Sequence, residues 1–289
     1  MLSPDVTGYL ASAGEFLHSR PAEHSVLLTV SEAVRIGGPA TFGNDPPLFG
    51  WYLPDGGPVT AACLHTPPYP VALTAMPDPA AAALARALAA SGRAVAAVDG
   101  PPGPAWAFAA EWQRQTGQPA RVGRRERLYR LGELVAPDPA PAGQARVATA
   151  ADTALLLAWL TAFKDEADPA GGPVRQAMVD ERIGYGGFTV WETADGPVSL
   201  AGRTRAVAGQ ARIGPVYTPP EHRGRGYGGA VTIAVSQQAL AAGVNDVLLY
   251  TDLANPTSNA LYERLGYRPV EDRVVLTFAP VAAGPRPAR

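Results

Sequence analysis

The spacing of apolar residues in the C-terminal half predicts alternating helices and strands. Apolar side chains first recur every three to four residues in two segments, as on one face of an α-helix. Three strand-like segments follow, separated by turns that contain glycine. A helix, an apolar strand, a second helix with cap signals at Asn255 and Gly266, and final strands complete the pattern. The predicted elements are residues 151–163, 173–185, 187–193, 196–202, 206–218, 227–242, 246–251, 255–265 and 267–278.

The N-terminal half shows the same order of elements, although its residues do not match those of the C-terminal half. Its predicted elements are residues 8–20, 22–36, 48–54, 59–66, 69–76, 80–90, 94–100, 105–116 and 124–131. Each half therefore has the order ααβββαβαβ. The chain is predicted to be an α/β protein with mixed sheets, built from two such domains in tandem.

A proline-rich stretch at residues 135–143 separates the halves. Proline cannot donate the hydrogen bonds of a strand ladder, and runs of it favour an extended connector. We therefore predict a first domain at residues 1–136, a linker at 137–144 and a second domain at 145–289.

A glycine-rich segment, EHRGRGYGGA at residues 221–230, directly precedes the second half's third helix. The first N–H groups of a helix lack internal partners and carry the positive end of its dipole, so they bind anions. Four glycines let an anion approach this backbone and tolerate positive φ. The segment therefore predicts a pyrophosphate site.

A dinucleotide-binding turn is an alternative interpretation of the same glycines. Residues 224–229 fit the pattern G-x-G-x-x-G, and Asp252 follows the next strand at roughly the required distance. On the pattern alone this alternative stays open. The context favours it less, because residues 219–223 separate the strand from the glycines, and too little chain follows Asp252 for a second mononucleotide half.

The composition limits the binding partners and the cellular compartment that are expected for this protein. The formal net charge is −2, so no basic field is available to hold nucleic acid or an anionic membrane. Cys63 is the single cysteine, which excludes an internal disulfide and fits a cytoplasmic protein. No apolar run reaches the length of a membrane span. The histidines lack ligand spacing, so no metal is expected; they are His18, His24, His65 and His222.

Two motifs together resemble the GNAT superfamily of acetyl-CoA-dependent N-acetyltransferases. Residues 223–228 fit that family's signature Q/R-x-x-G-x-G/A, and residues 255–267, NPTSNALYERLGY, look like its second signature. The resemblance covers residues 145–278, and the family's order is ααβββαβαββ. The N-terminal half looks like a degenerate copy, as in tandem members. Residues 75–82, AMPDPAAA, stand where its phosphate loop should be, so no coenzyme site is expected there.

The resemblance implies acetyl-CoA as the donor, with its pyrophosphate on the backbone amides of residues 223–229. The pantetheine arm would lie along residues 216–218. The residues that the resemblance assigns to the coenzyme are Val216, Tyr217, Thr218, Arg223, Gly224, Arg225, Gly226, Tyr227, Gly228, Gly229, Asn255, Asn259 and Tyr262.

The strand before the glycines has a feature that fits this arrangement. Gly214-Pro215 interrupts it, so a bulge or a splay from the strand at residues 247–250 is expected. Backbone groups freed by a splay can pair with the amide-rich pantetheine like an added strand. A freed N–H could also stabilise the oxyanion of the thioester.

Amine acetylation requires two proton transfers. Tyr262 matches the family's usual acid position and could protonate the leaving thiolate; alternatively it packs or holds the coenzyme. Asn255 is a helix cap and also a family coenzyme contact. The base is less clear: Glu192 is the leading candidate, and a water chain is the alternative. Three acidic residues near the expected acceptor entrance could attract a cationic amine or form a solvated helix end; they are Asp165, Glu166 and Asp168.

The sequence therefore predicts an N-acetyltransferase that transfers an acetyl group to a primary amine by direct attack on the thioester. The acceptor would be a small molecule or a peptide. The alternative is a non-catalytic protein of the same fold that binds or senses acyl-CoA. By analogy with family dimers, two like halves in one chain favour a monomer or a weak homodimer.

Overall fold

The predicted order of helices and strands is present in both halves of the computed structural model, which describes residues 1–167 and 172–279. The N-terminal half contains β1 (Leu2–Ser3), α1 (Val6–Ser19), α2 (Ser25–Gly37), β2 (Leu48–Tyr52), β3 (Ala61–His65), β4 (Val71–Leu73), α3 (Asp78–Ala90), β5 (Ala97–Gly100), α4 (Pro102–Thr116) and β6 (Ala120–Leu131). Among the described helices, none has the length and apolar character needed to cross a membrane.

The C-terminal half repeats this order, including the short strand before the first helix. Its elements are β7 (Gln144–Val147), α5 (Thr153–Ala167), α6 (Gln176–Gly184), β8 (Phe188–Thr193), β9 (Gly196–Arg203), β10 (Gln210–Tyr217), α7 (Tyr227–Ala241), β11 (Asp246–Asp252), α8 (Pro256–Arg264) and β12 (Tyr267–Phe278).

The structure differs from the sequence prediction at three strands. β1 and β7 were not predicted, because two and four residues are too short to show a periodic pattern. The final segment was expected to hold more than one strand, but β12 is a single strand of 12 residues. No glycine or Asn-Gly turn interrupts it, so the backbone has no local reason to reverse.

The chain forms two compact units, and each is built from more than one segment of the sequence. Unit 1 contains residues 1–20, 30–126 and 272–279, and unit 2 contains Pro21–Thr29 and Arg127–Glu271. β6 and β12 therefore each contribute one end to each unit. A cut at the predicted linker, residues 137–144, would separate residues 21–29 and 127–136 from the rest of unit 2, and residues 272–279 from the rest of unit 1.

Unit 1 is a sheet with strand order β1, β2, β3, β4, β5, β12, β6. β4 and β5 run parallel, whereas β5 and β12 run antiparallel with Ala97 opposite Thr277. α3 and α4 cover its core, in which Leu73, Phe108 and Leu276 are fully buried. Burial of such apolar side chains is the main contribution to the stability of this unit.

Unit 2 is a sheet with strand order β12, β6, β11, β10, β9, β8, β7. β10 and β11 are parallel, and β7 to β10 pair antiparallel. Ile213 and Leu249 pack with α7 and α8 on one face, while Leu200 and Tyr217 pack with α5 and α6 on the other. The candidate site lies where β10 leaves this two-sided core.

Candidate functional site

β10 and β11 are paired along the first half of their length and then separate. Their pairing runs from Gln210 opposite Asp246 to Ile213 opposite Leu249, and β10 then continues to Tyr217 without β11. The register between β10 and β9 also shifts between Ile213 and Val216. The bulge and splay predicted from Gly214-Pro215 are therefore confirmed.

The bulge decides which face each following side chain occupies. Val216 packs on the face of α7 and α8, and the next residue, Tyr217, packs on the face of α5 and α6. Arg182, on α6, donates from Nη1 to the carbonyl oxygen of Gly214 at 3.2 Å. The bulge is thus held from outside the strand, because a guanidinium satisfies a carbonyl that the ladder leaves free.

The loop after β10 presents free backbone amides at the start of α7. Gly224 and Gly226 have φ of 76° and 81°, a left-handed conformation that favours glycine. Gly226 is the residue before the helix, and no side chain caps it. In the described chain the amides of residues 227–229 have no hydrogen-bond partner. This start has the chemistry of an anion site.

The remaining two glycines of the loop serve different purposes. A Cβ on Gly228 would lie 3.4 Å from Oγ1 of Thr218, at the opening of the loop. A Cβ on Gly229 would lie 3.3 Å from Cδ1 of Leu261, on α8. Gly229 therefore lets α8 approach the first turn of α7, which places the helix of Tyr262 beside the free amides.

The arginines of the loop differ in their surroundings. Arg223 donates from Nε to the carbonyl of Thr218 at 2.9 Å and forms an ion pair with Glu166, Nη2 to Oε2, at 2.7 Å. Arg225 is exposed and forms no ion pair within residues 1–167 and 172–279. Both guanidinium groups lie on the loop that carries the free amides; the charge of Arg223 is paired with Glu166, and Arg225 adds positive charge to the loop.

Tyr262 is a buried phenol with an unused donor. Its side chain is 9% exposed, and its hydroxyl has no hydrogen-bond partner in the part of the chain that the structure describes. Its ring contacts Tyr267 edge to face, with centroids 6.0 Å apart. Burial raises the pKa of Tyr262 to about 12, so the group stays protonated at neutral pH. A protonated phenol without a partner can act as a proton donor.

The two asparagines of the second signature stabilise the turn before α8. Asn255 caps α8, because its Oδ1 accepts from the N–H of Ser258 at 3.0 Å. Asn259 donates from Nδ2 to the carbonyls of Asp252 and Asn255 at 2.8 and 2.7 Å. The cap function of Asn255 is confirmed, whereas coenzyme contacts of both residues stay predictions.

Tyr129 is a residue of this site that the sequence analysis missed. It lies on β6, is fully buried, and its hydroxyl is 3.0 Å from Oδ1 of Asn259 and from Oε1 of Glu263. It therefore fixes the amide that holds the β11 to α8 turn. The only local signal was an apolar pair, Leu128-Tyr129, between arginines in a strand otherwise rich in charge.

The structure gives Glu192, the predicted base, an ionic partner. Its Oε2 lies 2.9 Å from Nε of Arg146, and the same guanidinium makes two 2.8 Å bonds to Asp152. These bonds lower the pKa of Asp152 to about 2. Glu192 lies on β8, with β9 between it and β10. The structure therefore does not bring Glu192 to the splayed strands, and its role as base stays a prediction.

Of the three predicted acidic residues, Glu166 alone contacts the candidate site in the described chain. Asp165 contacts Lys164 at 3.4 Å, and its side chain is 65% exposed. Asp168 lies outside the described residues. Asp252, the acid of the dinucleotide alternative, accepts from the N–H of Ala254 at 2.8 Å, which is a local turn contact.

Cys63 and His65, a potential nucleophile and a potential metal ligand, both lie on β3 in unit 1. Cys63 is buried on β3, and desolvation raises its pKa to about 12, so its thiol is not reactive. His65 accepts from Nε of Arg93 at 2.8 Å. Within the described ranges, no group of three or more His, Cys, Asp or Glu residues could hold a metal ion.

Comparison with known proteins agrees with this geometry. Residues 195–276, which include the glycine loop and Tyr262, match the family model described as FR47-like protein. Two solved GCN5-related N-acetyltransferases share the fold. The protein from Sphaerobacter thermophilus is 16% identical, with 95% of this chain and 92% of that chain covered and a TM-score of 0.59. The chain therefore has the fold of the GCN5-related N-acetyltransferases.

The second solved structure, from Kribbella flavida, is 19% identical over 76% of this chain and 87% of that chain, with a TM-score of 0.53. A curated relative, mycothiol acetyltransferase of Thermobispora bispora, is 43% identical over 58 residues, which are 19% of this chain and 20% of that protein. The chain thus matches about a fifth of that relative's length. The predicted fold class, an α/β fold with GNAT-like domains in tandem, is confirmed.

Proposed function

We propose that this protein is a member of the GNAT superfamily, an acetyl-CoA-dependent N-acetyltransferase whose C-terminal half carries the active site. The observation that supports it most is the coincidence of three features within unit 2. These are the free amides at the start of α7, the parting of β10 from β11 after Ile213, and the buried, protonated hydroxyl of Tyr262.

The residues present fit acetyl-CoA. A diphosphate needs several donors and close approach, which the amides of residues 227–229 and glycines 224 and 226 provide. Arg223 and Arg225 would add charge-assisted contacts. The pantetheine arm would pair with the backbone of residues 216–218, which β11 leaves free on one side. Acetyl-CoA would supply an acetyl group activated as a thioester.

The chain's own residues would manage the protons of the reaction. The acceptor is a primary amine that attacks directly in its neutral form and must lose one proton. Tyr262 would donate its phenol proton to the sulfur that leaves, and the raised pKa keeps that proton in place at neutral pH. Glu192 is held by Arg146, so a water chain is the better candidate for the base.

The alternative is a protein that binds acyl-CoA without turnover. One observation favours it: β10, with sequence QARIGPVY, contains no carboxylate that could act as a base beside the splay. A panel of amines, assayed for release of free thiol from acetyl-CoA, separates the two. The transferase proposal predicts amine-dependent release. Tight coenzyme binding with no release above hydrolysis for any amine would favour the alternative.

We propose that the first domain, residues 1–136, supports the catalytic domain at 145–289 and binds no coenzyme, and that the protein is a cytoplasmic monomer or weak homodimer. Light scattering at micromolar concentration tests the assembly, since a stable dimer would contradict it.

A further inference from the structure

Arg223, which the proposed function assigns to the diphosphate, is already engaged by an acid. Its Nη2 lies 2.7 Å from Oε2 of Glu166, and its guanidinium carbon lies 5.8 Å from the centre of the Tyr217 ring. Its Nε is also bonded to the carbonyl of Thr218. The guanidinium is thereby held against the end of β10 and neutralised by a carboxylate.

Glu166 connects two parts of the candidate site. It lies in the last turn of α5, and its second oxygen, Oε1, accepts from the hydroxyl of Tyr217 at 3.1 Å. Tyr217 is buried at the splayed end of β10. One carboxylate oxygen therefore bonds a cation of the phosphate loop, and the other bonds a neutral phenol beside the proposed pantetheine strand.

The ion pair is of the kind that a diphosphate can displace. Both side chains are about half exposed, 48% for Arg223 and 47% for Glu166. An ion pair in such a setting is weak, because solvent screens it and its formation orders two long side chains. Guanidinium bonds to phosphate oxygens are charge-assisted and stronger.

We propose that Glu166 is an electrostatic interlock between the two substrates. It competes with the coenzyme diphosphate for Arg223, and once displaced it becomes the anionic group that selects the acceptor. The inference rests on the proposed function, because it requires that Arg223 contacts the diphosphate.

The displaced state defines the class of acceptor. Without Arg223, the carboxylate keeps only the neutral hydroxyl of Tyr217 as a partner. An unpaired carboxylate that is half exposed attracts a cation. The preferred acceptor is therefore an amine that carries a further positive charge, and its binding is coupled to that of the coenzyme.

Calorimetric titration with coenzyme A tests the interlock on the full chain. Glu166→Gln removes the competing charge, so coenzyme A should bind about two- to fivefold more tightly than to the wild type, the range expected for a surface ion pair. Asp165→Asn is the matched control, because it removes a neighbouring carboxylate whose ion pair is with Lys164 and not with Arg223. Its affinity should stay at the wild-type value.

A double variant separates competition for Arg223 from simple charge repulsion. In Arg223→Gln, Glu166 has no guanidinium to hold, so adding Glu166→Gln should change the affinity no further. An unchanged or weaker affinity in Glu166→Gln alone would overturn the interlock. A gain that persists in the double variant would overturn it as well, since the effect would then be general repulsion.

The acceptor panel tests selection by charge. Among amines that turn over, preference for those with a second positive charge should fall in Glu166→Gln and persist in Asp165→Asn; equal preference in both would overturn this part. If the wild type binds no coenzyme A, the proposed function itself fails. If it binds and Glu166→Gln behaves like Asp165→Asn, only the interlock fails.

Discussion

The helix that follows the third core strand of each half begins with opposite chemistry. α7 begins after Gly226 at positive φ, with three free amides and no acid in its first turn. α3 begins after Pro77 with Asp78 in its first turn, and the carbonyl of Pro77 accepts from the amides of Ala80 and Ala81. One start is open to an anion. The start of α3 repels an anion, because it carries the negative charge of Asp78 and its backbone N–H groups bond to the carbonyl of Pro77.

The parallel strands beside these helices also differ between the two units. In unit 2, β10 leaves β11 after Ile213. In unit 1, a Cβ on Gly100 would lie 3.0 Å from Cβ of Leu73, so the ends of β4 and β5 stay together. Arg273 donates from Nη2 to the carbonyl of Leu73 at 3.1 Å and pairs with Asp99. The same fold thus has parted parallel strands in unit 2 and paired, salt-bridged ones in unit 1.

Separating the halves at the linker should have the largest effect. A fragment of residues 145–289 lacks β6, whose Leu128 and Tyr129 are fully buried in unit 2. Their loss exposes apolar surface and removes the bond to Asn259, so we expect an unfolded or aggregated product by circular dichroism. A fragment that starts at residue 120 should recover helical signal. A 145–289 fragment that folds and binds the coenzyme would show that β6 is dispensable for unit 2.

Removing the hydroxyl of Tyr262 should have the next largest effect. Tyr262→Phe keeps the ring that contacts Tyr267, so the packing of α8 should persist. If the phenol donates a proton to the thiolate, kcat should fall roughly 10² to 10⁴ fold while coenzyme affinity changes little. Loss of affinity with kcat retained would instead assign Tyr262 to coenzyme binding.

A side chain at Gly228 should close the phosphate loop without straining it. Gly228 has no positive φ, unlike Gly224 and Gly226, so substitution tests access to the amides and not backbone strain. Gly228→Val should weaken acetyl-CoA binding by at least about tenfold, since contacts to a charged group are lost. Gly228→Ala is the matched control and should bind within a few fold of the wild type. Equal affinities would place the diphosphate elsewhere.

These contrasts divide into features that the sequence could predict and features that it could not. The splay followed from Pro215, and the open helix start followed from the glycines, because both depend on the local backbone. The position of Arg273 against Leu73 and the pairing of Glu192 with Arg146 depend on residues far apart in sequence. The sequence also could not predict that β6 and β12 each contribute one end to each unit, since strand pairing is not encoded in either strand alone.

Acid should reveal the smallest difference between the units. Burial, reinforced by Arg93, lowers the pKa of His65 in unit 1 from 6.5 to about 4. The unfolded chain therefore binds a proton that the folded chain does not, and unit 1 loses stability as the pH falls from about 6.5 to 4. In unit 2, Asp152 has its pKa lowered to about 2, so its contribution is lost only below about 3.8.

Thermal melts between pH 7 and pH 4 check this difference. As the pH is lowered, the melting temperature of unit 1 should fall before that of unit 2. His65→Asn removes the titrating imidazole and should therefore flatten the pH dependence of the melting temperature of unit 1. An equal loss in both units over this range, or a wild-type slope in His65→Asn, would contradict the assignment.

The number of coenzyme sites per chain tests the central claim most directly. Calorimetric titration of the full chain with acetyl-CoA should give a stoichiometry of one, because among the described helices only α7 starts with free amides beside parted strands. Asp78→Ala, in the first half, should leave that single site unchanged. Two sites of similar affinity, or one site that survives Gly228→Val and is lost in Asp78→Ala, would contradict the account.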